Sequence, residues 1–206
     1  MPQDTFFNLH EEKRDKVLQA IINEFTKVTL ENASIKNIVQ NAGIPRGSFY
    51  QYFIDKEDAM RYIIFNTCIQ EEKNVTRDTN FEPGDLYDFI LYIYNREIRF
   101  LEKKTISIRM QLLKQISESP RATALFNEEI TNAITQSAMF KKYWDISGLN
   151  HLTEKENITL MDLLITSLKE TLINVLRDKN CITMAEEQLR LKLIIIKEGV
   201  RAVFKI

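Results

Sequence analysis

Residues 34–56, SIKNIVQNAGIPRGSFYQYFIDK, leave the chain few ways to fold. Behind Ser34, whose side chain suits an N-cap, Ile35, Ile38 and Val39 form one apolar stripe at helical spacing. That helix must stop at Asn41-Ala42-Gly43, because glycine takes the positive φ of a tight C-terminal turn without steric cost. Pro45 suits the first position of a second helix, where its missing N–H has no intrahelical partner. On that helix Phe49 and Phe53 point inward, which leaves Arg46, Ser48, Tyr50, Gln51 and Tyr52 on other faces. Asp55 then caps a third helix from Lys56. Two short helices joined by a glycine turn, the second with a polar outer face, are the sequence form of a helix-turn-helix.

The run Ala42-Gly43-Ile44-Pro45-Arg46-Gly47-Ser48-Phe49-Tyr50-Gln51-Tyr52-Phe53, followed by Asp55-Lys56-Glu57, resembles the DNA-binding signature of the TetR family of transcriptional repressors. Order, spacing and position near the N-terminus match over residues 17–64, and the remainder matches in length and helicity only. The sequence departs from the family pattern at Val39, Pro45 and Thr29. The resemblance implies a homodimer on a palindromic operator, with an effector bound in a C-terminal helical domain and the last two long helices at the dimer interface.

Composition agrees with an all-α fold. Five Gly and four Pro in 206 residues, with abundant Leu, Ile, Lys and Glu, predict about nine helices. The expected domains are a three-helix DNA-binding head at 1–56 and a larger ligand-binding and dimerisation domain at 57–206. No apolar run is long enough to span a membrane, and the N-terminus has no signal pattern, so a cytoplasmic location is expected. Cys68 and Cys181 are read as buried thiols rather than a disulfide. Charge alone does not point to DNA, since residues 1–60 hold seven Lys/Arg against nine Asp/Glu. Within 34–56, however, Lys36, Arg46 and Lys56 stand against Asp55 alone.

Periodicity places further helices at 11–28, 56–72, 85–101, 105–117, 120–144, 153–177 and from 183 onward, with a loop at 74–84. Thr153 with Glu156, and Thr183 with Glu186, read as capping boxes. Leu86, Phe89, Ile90, Ile93, Leu101, Ile106, Met110, Leu113 and Ile116 should face inward. Lys13, Arg14 and Lys16 are read as a solvated face rather than a DNA contact.

Arg46 is the candidate base reader, because a guanidinium pairs bidentately with guanine, although a phosphate would also suit it. Gly47 lets the backbone approach a duplex closely, and Ser48 and Gln51 can reach bases or sugar-phosphate. Tyr50 and Tyr52 match family positions that clamp phosphates, Tyr52 having a buried structural role as its alternative. Ser34, Lys36, Pro45 and Lys56 complete the expected DNA-binding set. Ile64, Phe89, Tyr92, Ile93, Met110, Leu113, Phe126, Ile130, Ile134 and Met161 are the candidate lining for an apolar or aromatic effector. Ile165, Leu168, Leu172, Leu193, Ile196 and Val200 are the expected dimer contacts, with burial inside one chain as the alternative. His10 and His151 sit in no metal-ligand spacing, and no catalytic motif occurs, so neither enzyme, metal nor cofactor is expected. The partners expected are double-stranded operator DNA, a small-molecule effector and a second copy, with no membrane. An activator, or a ligand-independent architectural regulator on the same fold, is the alternative reading.

Overall fold

The computed structural model describes residues 1–76, 84–103 and 106–204, and among these the regular structure is all helical, with eleven α-helices and no strand. Contacts group the chain into two compact units. One is Met1–Gln70 with Gln111–Asn132; the other is Glu71–Met110 with Ala133–Ile206.

The first unit begins with α1 (Asp4–Phe7), α2 (Glu11–Phe25), α3 (Ile35–Ala42), α4 (Arg46–Tyr52) and the start of α5 (Lys56–Thr76). Val17, Ile21 and Phe25 recur every four residues on α2 and are fully buried. They share one core with Ile38, Phe49, Phe53, Met60 and Ile63, and also with Leu112, Ile116, Ala122 and Leu125 from the middle of the chain. Gly43 ends α3 with φ +66°, a left-handed cap that returns the chain for α4. Asp55 accepts the Asp58 N–H at 2.8 Å, capping α5 as its sequence suggests.

Two local expectations fail here, and one helix is added. Ser34 is the N-cap residue of α3, but its side chain makes no capping bond; its backbone N–H instead meets Glu24. Pro45 sits one residue earlier than expected, at the N-cap of α4. The N-terminus adds α1, a single turn too short to show periodicity, and its Phe6 is completely buried.

The second unit contains α6 (Leu86–Glu102), the first residues of α7 (Ile108–Ser117), the last of α8 (Pro120–Gln136), α9 (Ala138–Ile146), α10 (Glu154–Arg177) and α11 (Ile182–Phe204). Asp85 caps α6 by accepting the Tyr87 and Asp88 N–H groups, and Lys197 of α11 reaches its other oxygen at 2.5 Å. Burial works to raise the Asp85 pKa, but Lys197 and the two amides outweigh it and hold the carboxyl below its ordinary value. Phe89 stacks on Tyr143 with ring centroids 5.0 Å apart. The Tyr94 hydroxyl donates to the Ile182 carbonyl at 3.0 Å, and burial pushes its phenol up to about 12. Glu97, only 2 % exposed, is ion-paired with Arg109 and accepts the Ser107 hydroxyl at 2.5 Å. Ser107 in turn takes the Met110 N–H at 3.1 Å, so a buried carboxylate is fastened to the start of α7.

The Thr153 capping box is present, with the Glu156 carboxylate 2.8 Å from the Thr153 N–H. The Thr183 box is not. Asp178 starts a 3₁₀ turn at Lys179–Cys181 that runs straight into α11, leaving Thr183 inside the helix. The helix expected over 120–144 divides at Ser137, whose hydroxyl caps α9 by accepting the Phe140 N–H. Ile106, expected inward, is 41 % exposed. Helix α5 extends to Thr76, so 74–76 are helical rather than loop; 77–83 of that loop, and Thr105, lie outside the described residues. Cys181 is a free thiol, half-buried rather than buried, and the Cys68 side chain lies outside the described ones.

Candidate nucleic-acid interface

Helix α4 is held by its apolar side. Phe49 and Phe53 are fully buried, with their rings 5.6 Å apart. That anchoring turns Arg46, Gly47, Tyr50 and Gln51 to solvent, with Ser48 half-exposed and Pro45 exposed beside them. Tyr50 is 44 % exposed, and its ring stands edge-to-face with that of Phe49, centroids 5.6 Å apart. A Cβ placed on Gly47 would meet nothing within 4 Å, and the residue needs no positive φ. Glycine in a helix costs about 1 kcal/mol relative to alanine, and nothing in the chain itself repays that here. The space above Gly47 is open for a partner's backbone.

Tyr52 is not part of this surface. It is 4 % exposed and packs against Phe6, with ring centroids 6.1 Å apart, so the phosphate-clamping role expected for it is corrected to a core role. Seven residues of α4 place position 52 on the same side as Phe49, and α1 covers that side. Lys36 is exposed on α3. The Lys56 ammonium is committed to the Glu31 carbonyl at 2.8 Å, which holds it at the rim of the surface.

The acids that made the first sixty residues net negative are largely occupied. Glu24 is buried beneath α3, where one carboxylate oxygen accepts the Ser34 N–H at 2.8 Å and the Asn37 amide at 3.1 Å. A negative charge at the start of α3 also suits the helix dipole. Asp58 is buried and accepts the Ile54 N–H at 3.2 Å. Glu57 pairs with Arg121 at 2.5 Å, and the Ser119 hydroxyl donates to Glu31 at 2.6 Å; each contact holds the carboxyl below its ordinary pKa. Arg61 of α5 bridges Glu128 and Glu129 of α8 at 2.8 and 2.7 Å. On α2, Lys16 pairs with Glu12 at 2.7 Å, consistent with a solvated face. The part played by Glu24 is not legible from its neighbours in sequence, since a lone acid on a helix reads as surface. Glu24→Ala is expected to cost about 1–2 kcal/mol, because it takes the acceptor from the half-buried Ser34 N–H and from the Asn37 amide, whereas Glu24→Gln keeps an acceptor and costs about half as much. Urea denaturation followed by circular dichroism reads both, and equal costs would contradict this account.

The residues expected to line an effector cavity fall in both units. Ile64 and Leu113 are buried in the first, with Phe126 and Ile130 half-buried there. Phe89, Tyr92, Met110 and Met161 are buried in the second, with Ile93 and Ile134 half-buried. Of the residues expected at a dimer interface, Leu172 and Leu193 are buried inside the chain and are unavailable to a partner. Ile165, Leu168, Ile196 and Val200 are half-buried. The apolar side chains that α10 and α11 expose are others: Ile158 and Leu163, and Met184, Leu191, Ile194, Ile195 and Val203, each between 46 and 71 % exposed.

Residues 17–62 match the family model described as bacterial regulatory proteins, tetR family. No curated protein matches the sequence. Solved structures with similar folds include a tetR-family transcriptional regulator from Streptomyces coelicolor, at a TM-score of 0.61 and 16% identity over 95% of this chain and 84% of that one. The transcriptional regulator FadR from Bacillus subtilis, solved in complex with stearoyl-CoA, superposes with a TM-score of 0.59 at 12% identity, covering 87% of this chain and 97% of FadR. The reduced form of Escherichia coli NemR gives 0.56 at 18% identity over 91% and 96%. At such identities the likeness is one of fold. Residues 17–62 therefore carry the sequence pattern of the tetR family of bacterial regulatory proteins, and the described residues have the all-α fold of the solved tetR-family regulators.

Proposed function

We propose that the chain is a homodimeric transcriptional repressor that binds a palindromic operator through α4 and lets go when a small apolar or aromatic effector binds. Arg46, Ser48 and Gln51 read bases or sugar-phosphate; Tyr50, Lys36 and the N-terminal ends of α3 and α5 hold phosphates. Residues 1–56 act as the reading head and 57–206 as the effector-binding and dimerisation part. The observation that carries the reading is the two-sided character of α4, with Phe49 and Phe53 buried and Arg46, Gly47, Tyr50 and Gln51 exposed on the stretch that matches the tetR pattern. An apolar effector accords with the buried aromatic and methionine side chains of α6 and α10, and the similar fold of FadR carries stearoyl-CoA.

A duplex selected from a random library by the full chain tests this. Arg46→Ala should weaken binding to it by about 1–3 kcal/mol. Gly47→Ala should act with opposite signs, raising the stability of the free chain by about 0.5–1 kcal/mol while weakening binding. Failure to select any sequence at low salt would sink the proposal, since the phosphate contribution to binding is largest there.

The partner copy is assigned to the exposed stripe of α11, where Leu191, Ile194 and Ile195 lie at i, i+3 and i+4. Two recognition helices so joined must lie roughly 34–36 Å apart to enter successive major grooves. Ile195→Glu should convert the dimer to a monomer in sedimentation, and an unchanged mass would move the interface elsewhere.

A further inference from the structure

Helix α4 has only seven residues, and a helix of that length has no stability of its own. Its C-cap, Phe53, is extended at φ −135° and lacks the left-handed turn that usually satisfies the last carbonyls. Two of those carbonyls are met from the far end of the unit. The Gln3 N–H donates to the Tyr52 carbonyl at 2.9 Å, and the Thr5 hydroxyl donates to the Gln51 carbonyl. Behind these bonds the Phe6 ring lies 6.1 Å from Tyr52 and 5.1 Å from Phe53.

We propose that residues 3–6 are a positioning brace for the recognition helix, supplying from a distant part of the same chain the C-terminal cap that α4 lacks and fixing the orientation in which Arg46, Gly47 and Gln51 face a duplex. The proposal rests on the DNA-binding reading above for its purpose, but not for its geometry. The brace grips the backbone of Gln51 from behind while that residue's side chain stays exposed in front. It therefore acts on the reading surface without occupying it. Loss of the two bonds frees the end of the helix that carries Gln51, and a base contact depends on orientation in a way that a phosphate contact does not.

Two substitutions remove the brace atom by atom in the full chain. Gln3 has φ −77° and ψ 160°, which proline adopts, so Gln3→Pro deletes one N–H without bending the backbone. Thr5 is exposed, so Thr5→Ala removes one hydroxyl without opening the core, and Thr5→Ser returns it. In the free protein, amide exchange at Tyr52 and Phe53 should quicken in both variants, roughly tenfold in the pair combined, while α10 and α11 exchange as before. Affinity for the duplex selected by the wild-type chain should fall roughly three- to tenfold per variant, with a scrambled duplex bound as before, and Thr5→Ser should restore both readings. Unchanged exchange at α4 overturns the brace. Faster exchange with undiminished affinity, or an equal loss on both duplexes, overturns its positioning role. A wild-type chain that selects no duplex overturns the DNA-facing half together with the function proposed above; the exchange rates, which need no DNA, tell that failure apart from failure of the brace.

Discussion

Phe6→Ala will cost about 3–5 kcal/mol, one of the largest single losses this chain can show. The ring is completely buried and touches Phe7, Tyr52, Phe53 and Tyr62 at centroid separations from 5.1 to 6.1 Å. Removing it forfeits the transfer energy of the ring and leaves a hole among stiff aromatic neighbours that cannot collapse to fill it. Phe6→Leu keeps most of the volume and should lose less than half as much. Urea denaturation of the full chain measures both, and a loss below about 1 kcal/mol for the alanine variant would show that Phe6 is not core. Because Tyr52 and Phe53 end α4 and begin the turn after it, the DNA-binding role proposed for α4 predicts that the same variant also loses affinity for a duplex.

Arg109→Met should cost about 3 kcal/mol, for a different reason. Glu97 is 2 % exposed, and Arg109 is the cation beside its carboxylate. With the guanidinium gone, the buried carboxylate keeps, among the described residues, the Ser107 hydroxyl but no ion-pair partner, which leaves its charge uncompensated. Arg109 is itself 23 % exposed, which sets the estimate at the lower end of the range for broken buried pairs. Replacing both partners at once, Glu97→Leu with Arg109→Met, should recover most of the loss, because no charge then remains to be desolvated. A double variant no more stable than Arg109→Met would mean that the pair contributes through shape and not through charge.

The features that could be read from the sequence are those set by neighbouring residues. The glycine turn at Gly43, the caps at Asp55, Asp85 and Thr153, and the inward stripe of Val17, Ile21 and Phe25 each depend on spacings within a few residues. The exposed residues of α4 followed from placing Phe49 and Phe53 inward. What could not be read depends on distant partners. Tyr52 is covered by residues 3–6, which return to it from the start of the chain, and one helical turn leaves no periodic trace. Glu24 and Lys56 look like solvated charges until the chain brings Ser34, Asn37 and the Glu31 carbonyl to them. The apolar breadth of α10 and α11 was legible, but a hydrophobic pattern cannot say whether its own chain or a second copy covers a given leucine. Leu172 and Leu193 went to the interior and Leu191 to the surface. The Thr183 box matched a four-residue pattern that a helix interior also tolerates once Asp178 has started the turn upstream.

Because Leu112, Ile116, Ala122 and Leu125 belong to the same core as α2–α5, the unit that carries α4 is not a contiguous stretch of sequence. A chimera that transplants only residues 1–70 onto another regulator would arrive with one wall of its interior missing, and would need either 111–132 from this chain or a recipient whose own helices happen to fill the gap. Grafts cut at both places should stay folded, whereas single-cut grafts should aggregate.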